Sequence, residues 1–109
     1  MTKVRFITES GKIKAVSAEG HTGFADSGED IVCAALSSII QTTVLGLMKV
    51  AKIDVRCEID EKEGILSFSL PPKLTEREER DAEVLLQTLL LGVSDLYEGY
   101  SDYIELEVI

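Results

Sequence analysis

Residues 31–51 read IVCAALSSIIQTTVLGLMKVA, and this stretch decides the fold. Its apolar residues recur so often that they would cover most of the circumference of a helix. Such a helix has to be buried on more than one side, either by its own domain or by a second subunit. The pattern therefore predicts a long core helix over residues 31–51.

Two strand patterns precede this helix. Residues 2–8 and 12–18 are short runs rich in apolar residues, and Glu9-Ser10-Gly11 separates them. Two such runs joined by a short turn with a glycine are typical of a β-hairpin. A glycine-rich loop over residues 19–29 is expected to connect the hairpin to the helix.

Strand patterns also follow the helix. Residues 53–60 alternate, with Ile53, Val55, Cys57 and Ile59 on one face, which predicts a half-buried strand with Cys57 in the core. A turn over residues 61–64 leads into a second strand over residues 65–70.

The last third of the chain predicts one more helix and one more strand. Thr75-Glu76-Arg77-Glu78 is a capping-box pattern that opens a helix, and Gly99 is its expected C-cap. Residues 103–109 alternate as in a strand. The predicted order is ββαββαβ, which indicates an α+β fold with two helices packed on a largely antiparallel sheet.

Length, charge and cysteine content narrow the class of protein. A chain of 109 residues is of ordinary size for one domain, so we expect residues 1–109 to form a single domain. A net charge of −9 argues against a nucleic-acid surface and favours a basic partner. The N-terminus lacks a signal-peptide pattern and no uninterrupted apolar run reaches membrane-spanning length, so we expect a cytoplasmic protein without a membrane partner. Two cysteines are too few for a disulfide framework, so reduced thiols are expected.

The stretch GHTGFADSGEDIVC, residues 20–33, holds the single histidine of the chain, His21, and ends at Cys33. Either Ser27 with Asp30 forms a capping box or Asp30 is the N-cap, which places Cys33 in the first or second helical turn. The thiolate is favoured near a helix N-terminus, and it is the nucleophile in cysteine chemistry. His21 would serve as its base, and free backbone N–H groups of the first turn, including that of Cys33 if it starts the helix, would hold an oxyanion.

Each of these residues also has a plain structural interpretation. Cys33 would be buried, His21 would end a turn, and Asp30 would cap the helix or orient the imidazole. Ser37 lies at i+4 from Cys33, where it would support the site or permit close helix packing. Without a second histidine or a Cys-x-x-Cys pair, the sequence predicts no metal site.

A longer pattern around these residues resembles a known family. The segment Gly20-His21-Thr22-Gly23-Phe24-Ala25, followed by Gly28 and by Asp30-Ile31-Val32-Cys33-Ala34-Ala35-Leu36-Ser37, closely resembles the signature of the bacterial ribosomal-processing cysteine proteases, the Prp family. The ending, residues 96–103, is similar to the family's helix running into a Tyr-Pro-x-Tyr strand entry. The chain departs from the pattern at Thr22, Phe24 and Ser101, where Ala, Tyr and Pro are common.

The resemblance implies an endopeptidase that removes the N-terminal extension of a large-subunit ribosomal protein. It implies a homodimer that needs no metal or cofactor, with Cys33 as nucleophile and His21 as base. Asp30 and Ser37 match positions associated with the site, and a further group matches the loop that closes over substrate: Gly20, Thr22, Gly23 and Phe24. The alternative is a non-catalytic acidic module that binds a ribosomal protein or the ribosome with Cys33 inert.

Overall fold

The computed structural model describes residues 1–20, 27–60 and 62–109, and in the first helix it describes side chains from Ile31 onward. The strands are β1 (Thr2–Glu9), β2 (Lys12–Glu19), β3 (Arg56–Asp60), β4 (Ile65–Ser69) and β5 (Ile104–Val108). The helices are α1 (Ser27–Leu45), continued by a π-helical turn (Gly46–Val50), and α2 (Glu76–Gly99). The predicted order ββαββαβ is confirmed.

The five strands form one sheet in the order β3-β4-β2-β1-β5. Every neighbouring pair is antiparallel except β1 and β5, which run parallel with Thr2 opposite Ile104. The hairpin between β1 and β2 turns at Ser10 and Gly11, whose φ values are 55° and 78°. Positive φ at both turn residues is typical of the tight hairpin turns whose twist matches that of the strands. The prediction of a largely antiparallel sheet is therefore confirmed.

Both helices cover the same face of the sheet. On α1 the buried side chains recur at helical spacing, and Val32, Leu36 and Ile40 are at most 1% exposed. They pack in one core with inward strand residues such as Val4 and Phe6. By length and mean hydropathy Ile31–Val50 is apolar enough to cross a membrane. Its buried stripe lies on the sheet, as in the core helix of a globular domain.

The opposite side of α1 is open in the described chain. Ile31 and Leu45 of α1 and Val50 of the π-helical turn are 64%, 56% and 81% exposed, so the described part of the domain does not surround the helix. The helix also begins earlier than predicted, at Ser27, and β2 extends to Glu19. The connecting loop is therefore shorter at both ends than residues 19–29.

Helix α2 begins at the predicted capping box. The Thr75 hydroxyl accepts a hydrogen bond from the Glu78 N–H at 3.2 Å, and the Glu78 carboxylate accepts one from the Thr75 N–H at 2.9 Å. Ala82, Leu86 and Val93 form part of the buried stripe of the helix. The C-cap is Tyr100, not Gly99, and the Tyr100 N–H donates to the Leu96 carbonyl at 2.9 Å.

The prediction that Cys57 lies in the core is wrong. Ile53 and Val55 are buried but precede β3, whereas Cys57 and Ile59 within the strand are exposed. Cys57 lies opposite Phe68 and shares its face of the sheet. However, β3 is an edge strand with a neighbour on one side only, so that alternation within the strand does not lead to burial.

Candidate active site

Cys33 lies on the wall of a cleft of about 390 Å³ between α1 and the hairpin formed by β3 and β4. From α1 the cleft is lined by Cys33, Leu36, Ser37 and Gln41. Cys33, Ser37 and Gln41 are spaced four residues apart and so lie on one helix face. The cysteine is a free thiol and its side chain is only 4% exposed. The cleft has the size of an ordinary ligand pocket.

The Cys33 thiol has a partner that the sequence analysis missed. The hydroxyl oxygen of Thr2 lies 2.9 Å from the sulfur, and either atom is able to donate the hydrogen bond. Thr2 also lines the cleft and is 4% exposed. The signal for it was present, because Thr2 alternates with Val4 and Phe6 and so belongs to the inward face of β1.

Gly20 lies at the end of β2 in close contact with the beginning of the chain. Its φ is +104°, and a Cβ added there would lie 2.5 Å from the carbonyl oxygen of Met1. Only glycine allows this approach without a shift of the backbone. His21, Thr22, Gly23 and Phe24 follow directly in the sequence and lie outside the described residues.

The start of α1 changes two predictions about the site. Because the helix begins at Ser27, Asp30 lies within its first turn and is not the N-cap, and its side chain lies outside the described part of the structure. Cys33 is the seventh helical residue, in the second turn. The N–H groups without an intrahelical acceptor are those of the first four residues, so the Cys33 N–H is not one of the free donors.

The hairpin between β3 and β4 forms the opposite wall of the cleft. Ile59, Ile65 and Leu66 give this wall an apolar surface. Asp60 adds a carboxylate that accepts hydrogen bonds at 3.1 Å from the N–H groups of Lys62 and Glu63, which fixes the turn. Glu19 of β2 is the second acidic residue of the lining, and no Lys or Arg is among the described residues that line the cleft.

The second cysteine has a different environment. Cys57 is exposed on β3 and does not line the cleft of Cys33. Neighbouring groups still remove part of the hydration of its sulfur, and this desolvation raises the pKa of the Cys57 thiol. Among the described residues no group of three or more His, Cys, Asp or Glu side chains is arranged to hold a metal ion.

Comparison with known proteins identifies the family. The family model described as cysteine protease Prp matches residues 1–105. The ribosomal processing cysteine protease Prp of Bacillus subtilis is 25% identical over 83 residues, covering 76% of this chain and 74% of the relative. The protein of the same name from Staphylococcus aureus is 27% identical over 100 residues, covering 92% and 91%.

Solved structures show the same fold. SMU.848 from Streptococcus mutans superposes with a TM-score of 0.88 at 28% identity, covering all of this chain and 94% of the other. An essential ribosomal processing protease Prp from Staphylococcus aureus, solved with a substrate peptide, gives a TM-score of 0.88 at 23% identity over the whole of both chains. A family match over nearly the whole sequence, together with this fold, establishes that the chain belongs to the Prp family of cysteine proteases.

Proposed function

We propose that this protease uses Cys33 as its nucleophile and His21 as its base to cut the N-terminal extension from a large-subunit ribosomal protein. The observation that carries the proposal is the position of Cys33: its thiol lies at a peptide-sized cleft, on a helix, beside a hydroxyl group. Gly20, which directly precedes His21, packs against Met1. Thr2, the residue after Met1, contacts the Cys33 sulfur. The end of β2 therefore leads towards the thiol.

The reaction follows from these groups. His21 takes the proton of Cys33, and the thiolate attacks the scissile carbonyl carbon to form a tetrahedral intermediate. Backbone N–H groups of the first turn of α1 hold the oxyanion, and the imidazolium gives its proton to the leaving amine. Water then attacks the thioester, which releases the new N-terminal fragment as a carboxylate and restores the thiol. Asp30 and Ser37 support this pair.

The substrate part of the proposal rests on charge and on the relatives. The described lining of the cleft is acidic at Glu19 and Asp60 and apolar at Ile59 and Ile65, which suits an extended peptide that carries both basic and apolar side chains. The chain has a net charge of −9, so a basic ribosomal tail is attracted at long range. The ribosomal processing protease Prp of Staphylococcus aureus was solved in two structures, one with a substrate peptide and one with a covalently linked product peptide.

The remaining parts of the proposal concern assembly and location. We place the enzyme in the cytoplasm, where ribosomes are assembled, as a single protease domain that needs no metal or cofactor and binds neither nucleic acid nor a membrane directly. The exposed apolar residues of α1 and its π-helical continuation, Ile31, Leu45 and Val50, are the surface we assign to a homodimer. Sedimentation of the wild type and of Ile31→Ser tests this assignment, because loss of the dimer in the variant is expected.

The decisive experiment is cleavage of the extended ribosomal protein from the same genome, followed by intact mass. Wild type is expected to release one defined N-terminal fragment, Cys33→Ala to release none, and Cys57→Ala to match wild type. The Cys57 variant is the matched control because that thiol is free but lies away from the cleft. Cleavage by Cys33→Ala would refute the assignment of the nucleophile.

A further inference from the structure

Thr2 stands out because it is the one polar side chain buried in the described part of the chain. It continues the inward face of β1, where Val4 and Phe6 are both fully buried. Valine has nearly the same shape as threonine and would bury without the cost of removing a hydroxyl from water. The position therefore holds a polar group where packing alone favours an apolar one, and within the described ranges the hydroxyl contacts the Cys33 sulfur at 2.9 Å.

The hydroxyl is also held in a fixed place. The Thr2 N–H donates to the Tyr103 carbonyl at 2.9 Å, and Thr2 is paired with Ile104 at the beginning of the parallel β1–β5 pair. On its other side the backbone lies against Gly20, whose close approach allows no Cβ. A β-branched side chain has restricted χ1 freedom, so that fixing the backbone also fixes the oxygen.

We propose that Thr2 is a positioning residue for Cys33. Once the thiol is ionised, the Thr2 hydroxyl donates a hydrogen bond to the Cys33 sulfur. This inference rests on the proposed function, since it assumes that the Cys33 thiolate is the working form. A thiolate only accepts hydrogen bonds, so the threonine has to be the donor in that state. Hydrogen bonds to a charged acceptor are stronger than neutral ones, so that the bond favours the charged form and holds it towards the cleft.

The test compares Thr2→Val, which removes the donor at nearly constant volume, with Thr2→Ser, which keeps it. Alkylation of Cys33 by iodoacetamide is followed by peptide mass at about pH 6.5 and about pH 9.5, with Cys57 of the same molecule as internal reference. We expect Thr2→Val to react about tenfold more slowly at the lower pH and within about twofold of wild type at the higher pH. The reason is that the donor matters only where the thiol is incompletely ionised.

Two further readouts distinguish positioning from packing. Thr2→Ser is expected to restore the alkylation rate at low pH to within about threefold of wild type, because the donor is present again. In cleavage of the extended ribosomal protein, Thr2→Val is expected to lower kcat about tenfold with little change in KM, since valine keeps nearly the same shape at this point of the cleft lining and only the hydroxyl beside the sulfur is lost. If Thr2→Val fails to fold, Thr2→Ala against Thr2→Ser provides the same comparison.

The inference is overturned if Thr2→Val slows alkylation equally at both pH values, because the residue then only packs. It is also overturned if the variant reacts faster than wild type, because the hydroxyl then shields the sulfur. Failure of the proposed function has a different signature. In that case wild type does not cut, or Cys33→Ala still cuts, while the alkylation of Cys33 continues to report the contact with Thr2.

Discussion

Replacement of Gly20 by alanine tests how tightly the end of β2 is packed against the beginning of the chain. At φ +104° an L-residue is strained, and the added Cβ would lie 2.5 Å from the Met1 carbonyl oxygen, a contact with backbone that has to be relieved by movement of β1 or β2. Strain of this kind costs on the order of 1–3 kcal/mol, and the forced movement adds to it. We expect Gly20→Ala to lower the free energy of unfolding by about 3 kcal/mol.

Gly11 is the matched control. It also has a positive φ, +78°, but a Cβ added there would meet no atom within 4 Å. Gly11→Ala therefore carries only the conformational cost and should lose about 1 kcal/mol. Urea unfolding measures the free energy of unfolding of both variants, compared with wild type at an equal dependence on urea concentration. Equal losses at the two glycines would show that the contact between Gly20 and Met1 is not tight, and the argument that this contact holds Thr2 in place would fail.

Three further predictions concern the core, the helix cap and substrate attraction. Leu86→Ala, at a fully buried position of α2, should lower the free energy of unfolding by about 3 kcal/mol, whereas Leu91→Ala, 73% exposed, should change it by less than about 0.5 kcal/mol in the same urea titration. The Thr75 N–H that donates to the Glu78 carboxylate, together with the smaller effects of the Thr75 hydroxyl and Arg77, lowers the pKa of Glu78. The stabilising effect of the ionised Glu78 carboxylate is therefore full at neutral pH and is lost as the pH falls through its lowered folded-state pKa. Wild type and Glu78→Gln should accordingly differ in urea midpoint at pH 7 and converge in acid. Cleavage of the proposed basic ribosomal substrate should show a kcat/KM that falls as NaCl rises, while alkylation of Cys33 by uncharged iodoacetamide should not change. Equal salt dependence of both rates would contradict electrostatic attraction.

The element order was predictable because each element carries its own local pattern. The capping box at Thr75 and Glu78 is specified by residues three apart, and the turn at Ser10 and Gly11 by residues next to each other. Signals of this range are contained in the sequence itself. The prediction of burial failed where burial depends on neighbours that are distant in the sequence. Cys57 alternates like a core residue, but its exposure depends on the position of β3 at the edge of the sheet.

The candidate site divides in the same way. Cys33 and Ser37 follow from helical spacing and the family pattern, and the structure places both on the cleft. The alternation of β1 places Thr2 on the inward face, but its contact with Cys33 was missed because it joins a strand and a helix residue that are 31 apart in the sequence. The contribution of Ile59 to the opposite wall was missed because an exposed apolar residue on an edge strand has the same alternation as a buried one.

The parallel pairing of β1 with β5 bears on the order of folding. It joins residues from opposite ends of the described sequence, Thr2 with Ile104, whereas the two β-hairpins and α2 are built from nearby residues. Pairings of such long range bear a large loop-closure entropy and form late relative to local elements. Because Thr2 reaches Cys33 from the first position of this pairing, we expect the thiol to gain its partner only in the last stage of folding. Under the proposed function, an incompletely folded chain would then lack the contact that positions its nucleophile, so proteolytic activity would appear only with complete folding.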